Sequence, residues 1–545
     1  MKRNYFITII AAIISMAVIP GCTKDLSRKP TNDITADVVY KTPAGYKLAL
    51  AKIYGAMALT GNSGGTGSPD IPSQIISDEG NSDFLRMYWY LQCLSTDEAG
   101  WTYHNNTDPI GIHQMTWSSI NQTVSGLYYR CFFLITLAND FIRQASDANL
   151  SSKGFSTSAM DSIKTYRAEA RFLRAYMYWV LMDLFANPPL VKEDLAIGTG
   201  LPRQSNRAEL FNYIETELKD IETLLAAPKT NEYGRADRAA AWALLARMYL
   251  NSSVYFGTVG SPLSDNDSRI VQYRTNAITY CNKIIAANYS LHTSGAGYKE
   301  LMLADNDLNT DEFIFTIRYD GTYTQNWGGT TTLAHGPAGV PGSISGTNGT
   351  WNCIRITQQF VSLFDNQDVR GQFYTAGQNL VMAQLLDVPT DGYSSSKFRN
   401  VTRTGAPAPH LDPGKNWVDI DFPVFRLAEI YLIYAEAVLR GGTGGSNATA
   451  LNYLNMLSAR GRPTAGSNAQ LTLPYILDER GRELFWECFR RTDLIRYNEF
   501  TTNAYLWAWK GGVQNGTAVD SKYNIFPIPS TDLSANPNLV QNSGY

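Results

Sequence analysis

The sequence predicts a mainly α-helical protein in which long helices pack as antiparallel pairs. Apolar residues recur at i, i+3 and i+4 spacing in several separate segments, and proline or glycine residues mark the ends of some of them. The period of about 34 residues that defines tetratricopeptide repeats is absent. Periodicity alone therefore indicates a helical, solenoid-like chain.

The predicted helices form about four pairs. The pairs are residues 43–59 with 127–145, 166–185 with 207–226, 237–250 with 273–287, and 424–440 with 451–459. The helix at 166–185 should end before Pro188, because a proline disfavours the helical conformation at the preceding residue. Ala239 and Ala243 leave one helix face without bulk, so that its backbone can approach a neighbour closely.

Three blocks near the C-terminus are the most distinctive part of the chain. They are FPVFRLAEIYLIYAEAVLR at 422–440, LDERGRELFWECFRRTDLIRY at 477–497 and YNIFPIPSTDLSANPNLVQNSGY at 523–545. The first two predict helices with one apolar stripe. Pro527, Pro529 and Pro537 predict that the third is an extended tail.

The second block predicts a helix with a salt-bridged outer face. Glu479 and Arg482, like Glu487 and Arg491, stand at the i,i+3 and i,i+4 spacings that favour ion pairs between exposed side chains. Such exposed pairs contribute only tenths of a kcal/mol. We therefore expect them to be structural, not catalytic.

The N-terminus predicts a lipoprotein signal. Two basic residues precede an apolar run at 5–19 that is too short to span a bilayer comfortably, and the run stops at Ile19-Pro20-Gly21-Cys22. This pattern predicts that residues 1–21 are a signal peptide and that Cys22 becomes a lipidated N-terminus on a tether at 22–35. An ordinary signal peptide with an incidental cysteine is the alternative.

The composition favours an uncharged ligand. The net charge is −3, which argues against a partner such as nucleic acid. Aromatic residues make up 12% of the chain, with 32 Tyr and 11 Trp. Surfaces rich in aromatic rings and small polar residues suit neutral polar ligands, above all sugars, whose C–H faces stack on rings.

Two long inserts between the predicted helices carry the candidate ligand-binding residues, because a rigid scaffold leaves recognition to its loops. The first insert spans residues 61–125 and the second spans 318–350, with Trp351 directly after it. The candidates are Arg86, Trp89, Asp97, Glu98, Trp101, Tyr103, Asn105, Tyr323, Trp327 and Trp351. A tryptophan in a long loop either stacks on a ligand or builds a local core, and the sequence leaves both roles open.

The sequence predicts a binding protein without a cofactor rather than an enzyme. Its five histidines form no H-E-x-x-H, and it has no G-x-S-x-G elbow or Walker loop. Asp97 and Glu98 cannot alone be a glycosidase pair, because adjacent side chains in an extended segment point in opposite directions. We expect them to fix a loop or to contact sugar hydroxyls. A structural calcium ion would suit carboxylates, but no EF-hand spacing supports one.

In their order and spacing, the three C-terminal blocks resemble the SusD/RagB family of outer-membrane nutrient-binding lipoproteins. There they read R-x-A-E-x-x-L-x-x-A-E-A, E-R-x-x-E-L-x-x-E-x-x-R-x-x-D-L-x-R and F-P-I-P…N-P-x-L-x-Q-N-x-G-Y. The matching residues in the first two are Arg426, Ala428, Glu429, Leu432, Ala435, Glu436, Ala437, Glu479, Arg480, Glu483, Leu484, Glu487, Arg490, Asp493, Leu494 and Arg496. With A-E-x-R-F-L-R-A at 168–175, the resemblance extends over almost the whole mature chain.

The resemblance implies one SusD-like domain at 36–545. Its N-terminal part, at about 36–260, would hold tetratricopeptide-like helix pairs, and an irregular, loop-rich C-terminal half at about 261–545 would wrap them. The implied protein is lipid-anchored in the outer membrane, faces the cell exterior, binds oligosaccharide and delivers it to a SusC-like TonB-dependent transporter. A peptide-binding lipoprotein of the RagB type and a surface structural protein without a ligand are the alternatives.

Overall fold

The computed structural model describes residues 36–62, 69–195 and 200–545, so the predicted signal peptide, Cys22 and the tether lie outside the described residues. The helices of 11 or more residues are α1 Pro43–Ala58, α2 Gln122–Gln144, α3 Thr157–Phe185, α4 Arg207–Ile221, α5 Arg238–Leu250, α6 Ser268–Ile285, α7 Leu427–Leu439, α8 Asn447–Gly461 and α9 Leu473–Glu483. None of the helices within these ranges has the length and apolar character needed to cross a membrane.

Shorter elements fill the connections. Short α-helices lie at Ala36–Val39, Phe84–Trp89, Thr107–His113, Asp147–Ser151, Ser252–Phe256, Gly329–His335, Gly342–Ser345, Gln358–Val361, Arg490–Arg496 and Ser530–Ala535. A π-helical turn lies at Tyr90–Leu94, and 3₁₀ turns lie at Glu79–Ser82, Gly297–Glu300, Asn306–Leu308, Lys510–Gly512 and Ser521–Asn524. The strands are β1 Gly100–Trp101, β2 Phe313–Ile317, β3 Ile354–Arg355, β4 Phe373–Tyr374, β5 Ser394–Ser395 and β6 Phe422–Arg426. They form antiparallel two-stranded sheets of β1 with β3, β2 with β6, and β4 with β5.

The predicted helix pairs are present, and the mainly α fold class is confirmed. α1 packs against α2 and α3, α3 against α4, α5 against α6, and α7 against α8. Contacts between α6 and α7 join the N-terminal pairs to the last one. Long irregular segments lie between α6 and α7 and after α9, as the resemblance implied for the C-terminal half.

Side-chain caps define where scaffold helices begin. The Asp237 carboxylate accepts hydrogen bonds from the backbone N–H groups of Ala239 and Ala240 and so caps α5. At the start of α4, Asn206 and Glu209 form a capping box in which each side chain bonds the other's backbone N–H. These caps explain why α4 and α5 start within one residue of the predicted positions. α2, α3 and α6 start five to nine residues earlier than predicted.

The second C-terminal block is two helices, not one. α9 ends at Glu483, and the chain resumes helical geometry at Arg490–Arg496. Between them Trp486 and Cys488 adopt positive φ values of 62° and 70°, which ordinary residues adopt rarely. The turn directs Trp486 toward the first insert. There its backbone N–H donates to the Glu98 carboxylate, and its indole N–H donates to the Glu98 backbone carbonyl.

The exposed outer face predicted for this block is wrong. Glu479, Glu487 and Arg491 are all buried. Glu479 does accept a hydrogen bond from Arg482 at 2.8 Å, as its spacing predicted. Arg491 instead donates to the backbone carbonyl of Asn524, so the predicted pair with Glu487 is absent. Helical spacing identifies neighbours along one helix but does not show which faces other segments cover.

An ion network occupies the interior of the C-terminal half. Its basic members are Arg370, Lys397, Arg426, Arg460 and Arg482, and its acidic members are Glu312, Asp368, Glu479, Glu483 and Glu487. The charges in this set balance. Because an unpaired buried charge costs several kcal/mol, each member depends on its partners.

The C-terminal tail closes the end of the helical scaffold. The Asn542 amide donates to the backbone carbonyl of Phe185, the last residue of α3, at 2.8 Å. The indole N–H of Trp117 donates to the Tyr545 hydroxyl at 2.7 Å. The tail is not wholly extended as predicted, because Ser530–Ala535 forms a short helix directly after Pro529, a position where proline is tolerated.

Candidate ligand-binding site

The two inserts meet at a short pair of strands. β1 from the first insert pairs antiparallel with β3, which follows the second insert, and Trp101 lies opposite Ile354. The pairing continues through the backbone N–H of Thr102, which donates to the carbonyl of Cys353 at 2.9 Å. The strand pair thus brings together two segments of the chain that lie 250 positions apart. The Thr102 hydroxyl, for example, donates to the backbone carbonyl of Asn352.

Arg86 joins the two inserts at the centre of this region. Its Nε donates to the Tyr90 hydroxyl at 3.1 Å, and its Nη1 donates to the backbone carbonyl of Trp327 at 3.1 Å. The guanidinium also lies 5.9 Å from the ring centroid of Trp351, within the range of a cation–π contact. The side chain is buried at 8% exposure. Arg86 therefore positions the aromatic residues and has little contact with solvent.

Asp83 forms a second link between the inserts. Its Oδ1 accepts hydrogen bonds from the backbone N–H of Arg86 at 2.7 Å and from that of Gly329 at 2.8 Å. Burial raises the pKa of this carboxyl. A Cβ at Gly328 would lie 2.1 Å from Asp83 Cγ, so only glycine allows this close approach.

The aromatic residues form a contiguous cluster, here named the aromatic platform: Tyr90, Trp101, Trp327, Trp351 and Trp417. Ring centroids lie 5.6 Å apart for Tyr90 and Trp101, 6.2 Å for Trp327 and Trp351, and 4.4 Å for Trp327 and Trp417. Trp327 and Trp351 are half-buried and keep accessible surface. Arg86 bridges the two parts of the platform through Tyr90 and Trp351.

Polar residues surround the platform as a rim. Tyr103 is 46% exposed, and its hydroxyl accepts a hydrogen bond from the Asn105 amide at 3.1 Å. His104 Nδ1 lies 2.5 Å from the Asp387 carboxylate, which ties the rim to a later loop. Tyr323, in the same loop as Trp327, is 79% exposed. Tyr103 and Asn105 thus place a hydroxyl and an amide beside Trp101.

Comparison with known proteins decides the family. One family model, described as "SusD family", matches residues 369–545, and another, described as "Starch-binding associating with outer membrane", matches 84–250. The "Starch-binding protein SusD" of Bacteroides thetaiotaomicron is 34% identical over 602 aligned residues and covers 100% of both chains. The chain belongs to the SusD family. A "SusD-like protein P2" of Formosa agariphila is 22% identical, also over 100% of both chains.

Solved structures share the fold of this SusD-family chain. A surface glycan-binding protein A from Bacteroides uniformis has a TM-score of 0.69 at 20% identity, covering 92% of this chain and 99% of that one. The surface glycan-binding protein A from Bacteroides thetaiotaomicron, solved with laminarihexaose, has a TM-score of 0.66 at 19% identity, with the same coverage. These matches confirm the SusD-like arrangement of helical pairs.

Asp97 and Glu98 fix a loop, which corrects their place among the ligand-binding candidates of this SusD-family chain. Both are buried. Asp97 accepts two hydrogen bonds from Arg490 at 2.9 Å and one from the Tyr505 hydroxyl at 2.7 Å. Glu98 accepts one from the backbone N–H of Trp486, and burial raises its pKa to about 8. Without accessible surface, neither carboxyl can contact a sugar in this conformation.

Trp89 and Trp101 are also corrected. Trp89 is fully buried and packs edge-on against Trp486, with centroids 4.9 Å apart. Trp101 is 4% exposed, and its indole N–H donates to the backbone carbonyl of Tyr103 at 2.8 Å. Neither presents a free ring face for stacking. Trp101 instead positions Tyr103 of the rim through this hydrogen bond.

The remaining candidates are one buried residue and five accessible ones. Arg86 organises the platform, while Tyr103, Asn105, Tyr323, Trp327 and Trp351 have accessible surface. Their contact with a ligand stays a prediction. Two platform members, Tyr90 and Trp417, were not among the candidates. Tyr90 stood in the aromatic run around Trp89, which was a usable signal, but nothing in the sequence connects Trp417 to the inserts.

The described residues contain no group of three or more His, Cys, Asp or Glu side chains that could hold a metal ion. The Asp97 and Glu98 carboxylates are already occupied by Arg490 and Trp486. The structural calcium ion therefore gains no support from these ranges and stays an untested prediction.

Proposed function

We propose that this chain is a cell-surface lipoprotein that binds oligosaccharides at the two accessible rings of the aromatic platform, Trp327 and Trp351. The proposal is supported by the accessible rings of Trp327 and Trp351, whose centroids lie 6.2 Å apart. The Tyr103 hydroxyl and the Asn105 amide lie on the segment that Thr102 ties to Asn352, next to Trp351. Rings offer apolar faces to the C–H faces of sugars, and amide and hydroxyl groups pair with sugar hydroxyls. This is the chemistry of binding, not of catalysis.

Two features favour a neutral glucan as the first ligand to test. The chain carries a net charge of only −3, and the polar groups of Arg86 and His104 near the platform already have partners, the backbone carbonyl of Trp327 and the Asp387 carboxylate. The relative at 34% identity is named a starch-binding protein, and a structural neighbour was solved with laminarihexaose. An α-glucan is therefore the first choice and a β-glucan the second.

Titration calorimetry tests the ligand class. The mature chain with Cys22 replaced by alanine would be titrated with maltoheptaose, laminarihexaose and a mixed peptide digest. We expect a glucan to bind with a Kd in the range of about 1 μM to 1 mM, as for other single-patch interactions of modest size. Binding of peptide alone would support the RagB-type alternative, and binding of neither would support a structural role.

Anchoring and delivery complete the proposal. We infer acylation at Cys22, a position on the outer membrane facing the cell exterior, and transfer of bound oligosaccharide to a SusC-like TonB-dependent transporter. Lipid anchoring is consistent with the short apolar run before Cys22, because two or more acyl chains hold a protein firmly. The family model description "associating with outer membrane" supports the location.

Membrane fractionation and co-purification test these points together. Cys22→Ala should move the folded protein into the soluble fraction, whereas wild type should stay with membranes and carry acyl chains by mass spectrometry. From mild detergent, wild type should bring down a large β-barrel protein. Wild-type protein that is unacylated, or that stays alone after crosslinking, would contradict anchoring or partnership respectively.

A further inference from the structure

Two cavities flank a loop that is separate from the aromatic platform. The loop is residues 232–235, and the cavities measure about 270 Å³ and 290 Å³. Helix α1, this loop and strand β2 line the first cavity, and none of the platform residues lines either one. The first volume lies just below the roughly 300 Å³ at which sites for drug-sized ligands begin, so it suits one ring with its substituents.

The wall of the first cavity combines apolar side chains with polar atoms that lack partners. Leu50, Met57 and Phe315 supply an apolar surface. Thr316 Oγ1 and Tyr233 Oη make no hydrogen bond of normal geometry with a described residue, although they lie close to each other and Tyr233 lies close to Asp421. Thr316 is only 2% exposed. Both residues line both cavities. Because an unpaired buried polar atom is costly, a hydroxyl of a bound molecule would relieve the cost.

Arg318 supplies a positive charge at the same cavity. Its guanidinium lies 5.4 Å from the ring centroid of Tyr233, and it makes no ion pair within the described ranges. The other two cations of the lining, Lys47 and Arg235, are each paired with a glutamate. Burial raises the pKa of the neighbouring Asp421 to about 7, so that carboxyl offsets the Arg318 charge only in part at neutral pH.

We infer that this cavity binds a small aromatic carboxylate that carries a hydroxyl group. The ring would pack against the apolar wall at Leu50 and Phe315, and the carboxylate would pair with the Arg318 guanidinium, which matches a carboxylate in a two-point geometry. The hydroxyl would reach the unpaired oxygen of Thr316. This site is independent of the oligosaccharide function proposed for the platform.

Gly55 offers a way to close the cavity without disturbing the fold. It lies in α1 and lines the cavity, and a Cβ added there would meet nothing within 4 Å. Leucine is also a far better helix former than glycine. Gly55→Leu should therefore fill the cavity while keeping or raising the melting temperature, and Gly55→Ala is the matched control that adds only a methyl group.

Calorimetry with 4-hydroxybenzoate on the mature Cys22→Ala chain tests the inference. We expect a Kd below about 1 mM, weakened at least about tenfold by Gly55→Leu and little changed by Gly55→Ala. Maltoheptaose binding should not change in Gly55→Leu. No binding of 4-hydroxybenzoate at about 10 mM, or equal binding to both Gly55 variants, would overturn the assignment of this cavity.

The charge requirement has its own controls. Arg318→Gln, and replacement of the probe by the neutral 4-hydroxybenzyl alcohol, should each weaken binding at least about fivefold, because a charge-assisted pair is lost. Arg269 also stacks over an aromatic ring, Phe256, at 4.8 Å but lies elsewhere, so Arg269→Gln should have no effect. Equal affinity for acid and alcohol would overturn the role of Arg318, and binding of glucuronate in place of 4-hydroxybenzoate would overturn the aromatic class.

Discussion

Asp97 and Arg490 form a buried two-point ion pair although 393 positions separate them in the chain. Both side chains are at most 2% exposed. Arg490 begins the short helix of the second C-terminal block, and Asp97 lies just before strand β1, from which the rim of the platform continues. The C-terminal block thus positions the insert that carries Tyr103 and Asn105.

Removal of the Asp97 charge should destabilise the fold strongly. Asp97→Asn leaves the Arg490 guanidinium buried without its counter-charge, and breaking such a pair costs about 3 to 5 kcal/mol. The exposed pair of Asp161 and Lys164 is the control, and Asp161→Asn should change the free energy of unfolding by less than about 1 kcal/mol. Denaturant unfolding measures both, and similar values for the two variants would contradict the structural role of Asp97.

Glu98 should make stability depend on pH. Burial, with the Asp97 charge in addition, raises the pKa of Glu98 from 4.5 to about 8 in the folded state. Between these values the folded protein keeps a proton that the unfolded chain has lost. The stabilisation is therefore complete below about pH 4.5 and is lost as pH rises through about 8.

The variant Glu98→Gln tests this sign, because glutamine imitates the protonated carboxyl and does not titrate. We expect the stability of Glu98→Gln relative to wild type to increase by about 1 to 3 kcal/mol between pH 5 and pH 8. Denaturant unfolding at several pH values within this range gives the difference directly. A difference that stays constant, or that shrinks as pH rises, would show that the Glu98 carboxyl is ionised in the folded protein.

The scaffold was predictable because helical periodicity is local. The predicted helix at 43–59 is observed as Pro43–Ala58, and the helix predicted at 237–250 is observed as Arg238–Leu250, with Asp237 as its cap. The break at Trp486 was not predictable, because its left-handed conformation is held by Glu98 in a distant insert. Local preference there is overridden by tertiary contacts.

The site was less predictable than the scaffold because exposure depends on which segments meet. Trp101 and Tyr103 are two residues apart, yet one is 4% and the other 46% exposed. Trp417 joins the platform through a fold-level contact with Trp327 that no spacing rule reveals. Residue type indicated the right inserts, but the choice between supporting and accessible rings required the packing of β1 against β3.

The buried ion network should depend on Glu483. This carboxylate contacts Arg460, Arg426 and Arg370, which hold its pKa well below its usual range despite its burial. Its contribution is present above the unfolded pKa of about 4.5 and is lost as pH falls. We expect Glu483→Gln to lower the free energy of unfolding at pH 7 by about 3 to 5 kcal/mol.

Acid titration separates the charge of Glu483 from its shape. The stability difference between wild type and Glu483→Gln should narrow as pH falls below about 4.5, since the unfolded wild-type chain then takes up a proton at Glu483 that the folded protein does not bind. Asp194→Asn, at an exposed pair with Lys192, serves as the control and should differ little from wild type at any pH. A pH-independent loss would indicate that packing, and not charge, dominates at Glu483.

Tyr323 and Trp101 should respond to truncation in opposite ways. Tyr323 is 79% exposed, so Tyr323→Ala should weaken maltoheptaose binding by about tenfold, or about 1.4 kcal/mol, without changing the melting temperature. Trp101 is buried beneath the rim, so Trp101→Ala should lower stability by about 3 to 5 kcal/mol, and any loss of binding should follow from that. Leu48→Ala, at a 71% exposed position on α1, is the control for both measurements. The opposite result is that Trp101→Ala keeps wild-type stability but loses binding, while Tyr323→Ala binds normally. In that case the ligand contacts Trp101, and the accessible surface of Tyr323 and Trp327 is not the binding face.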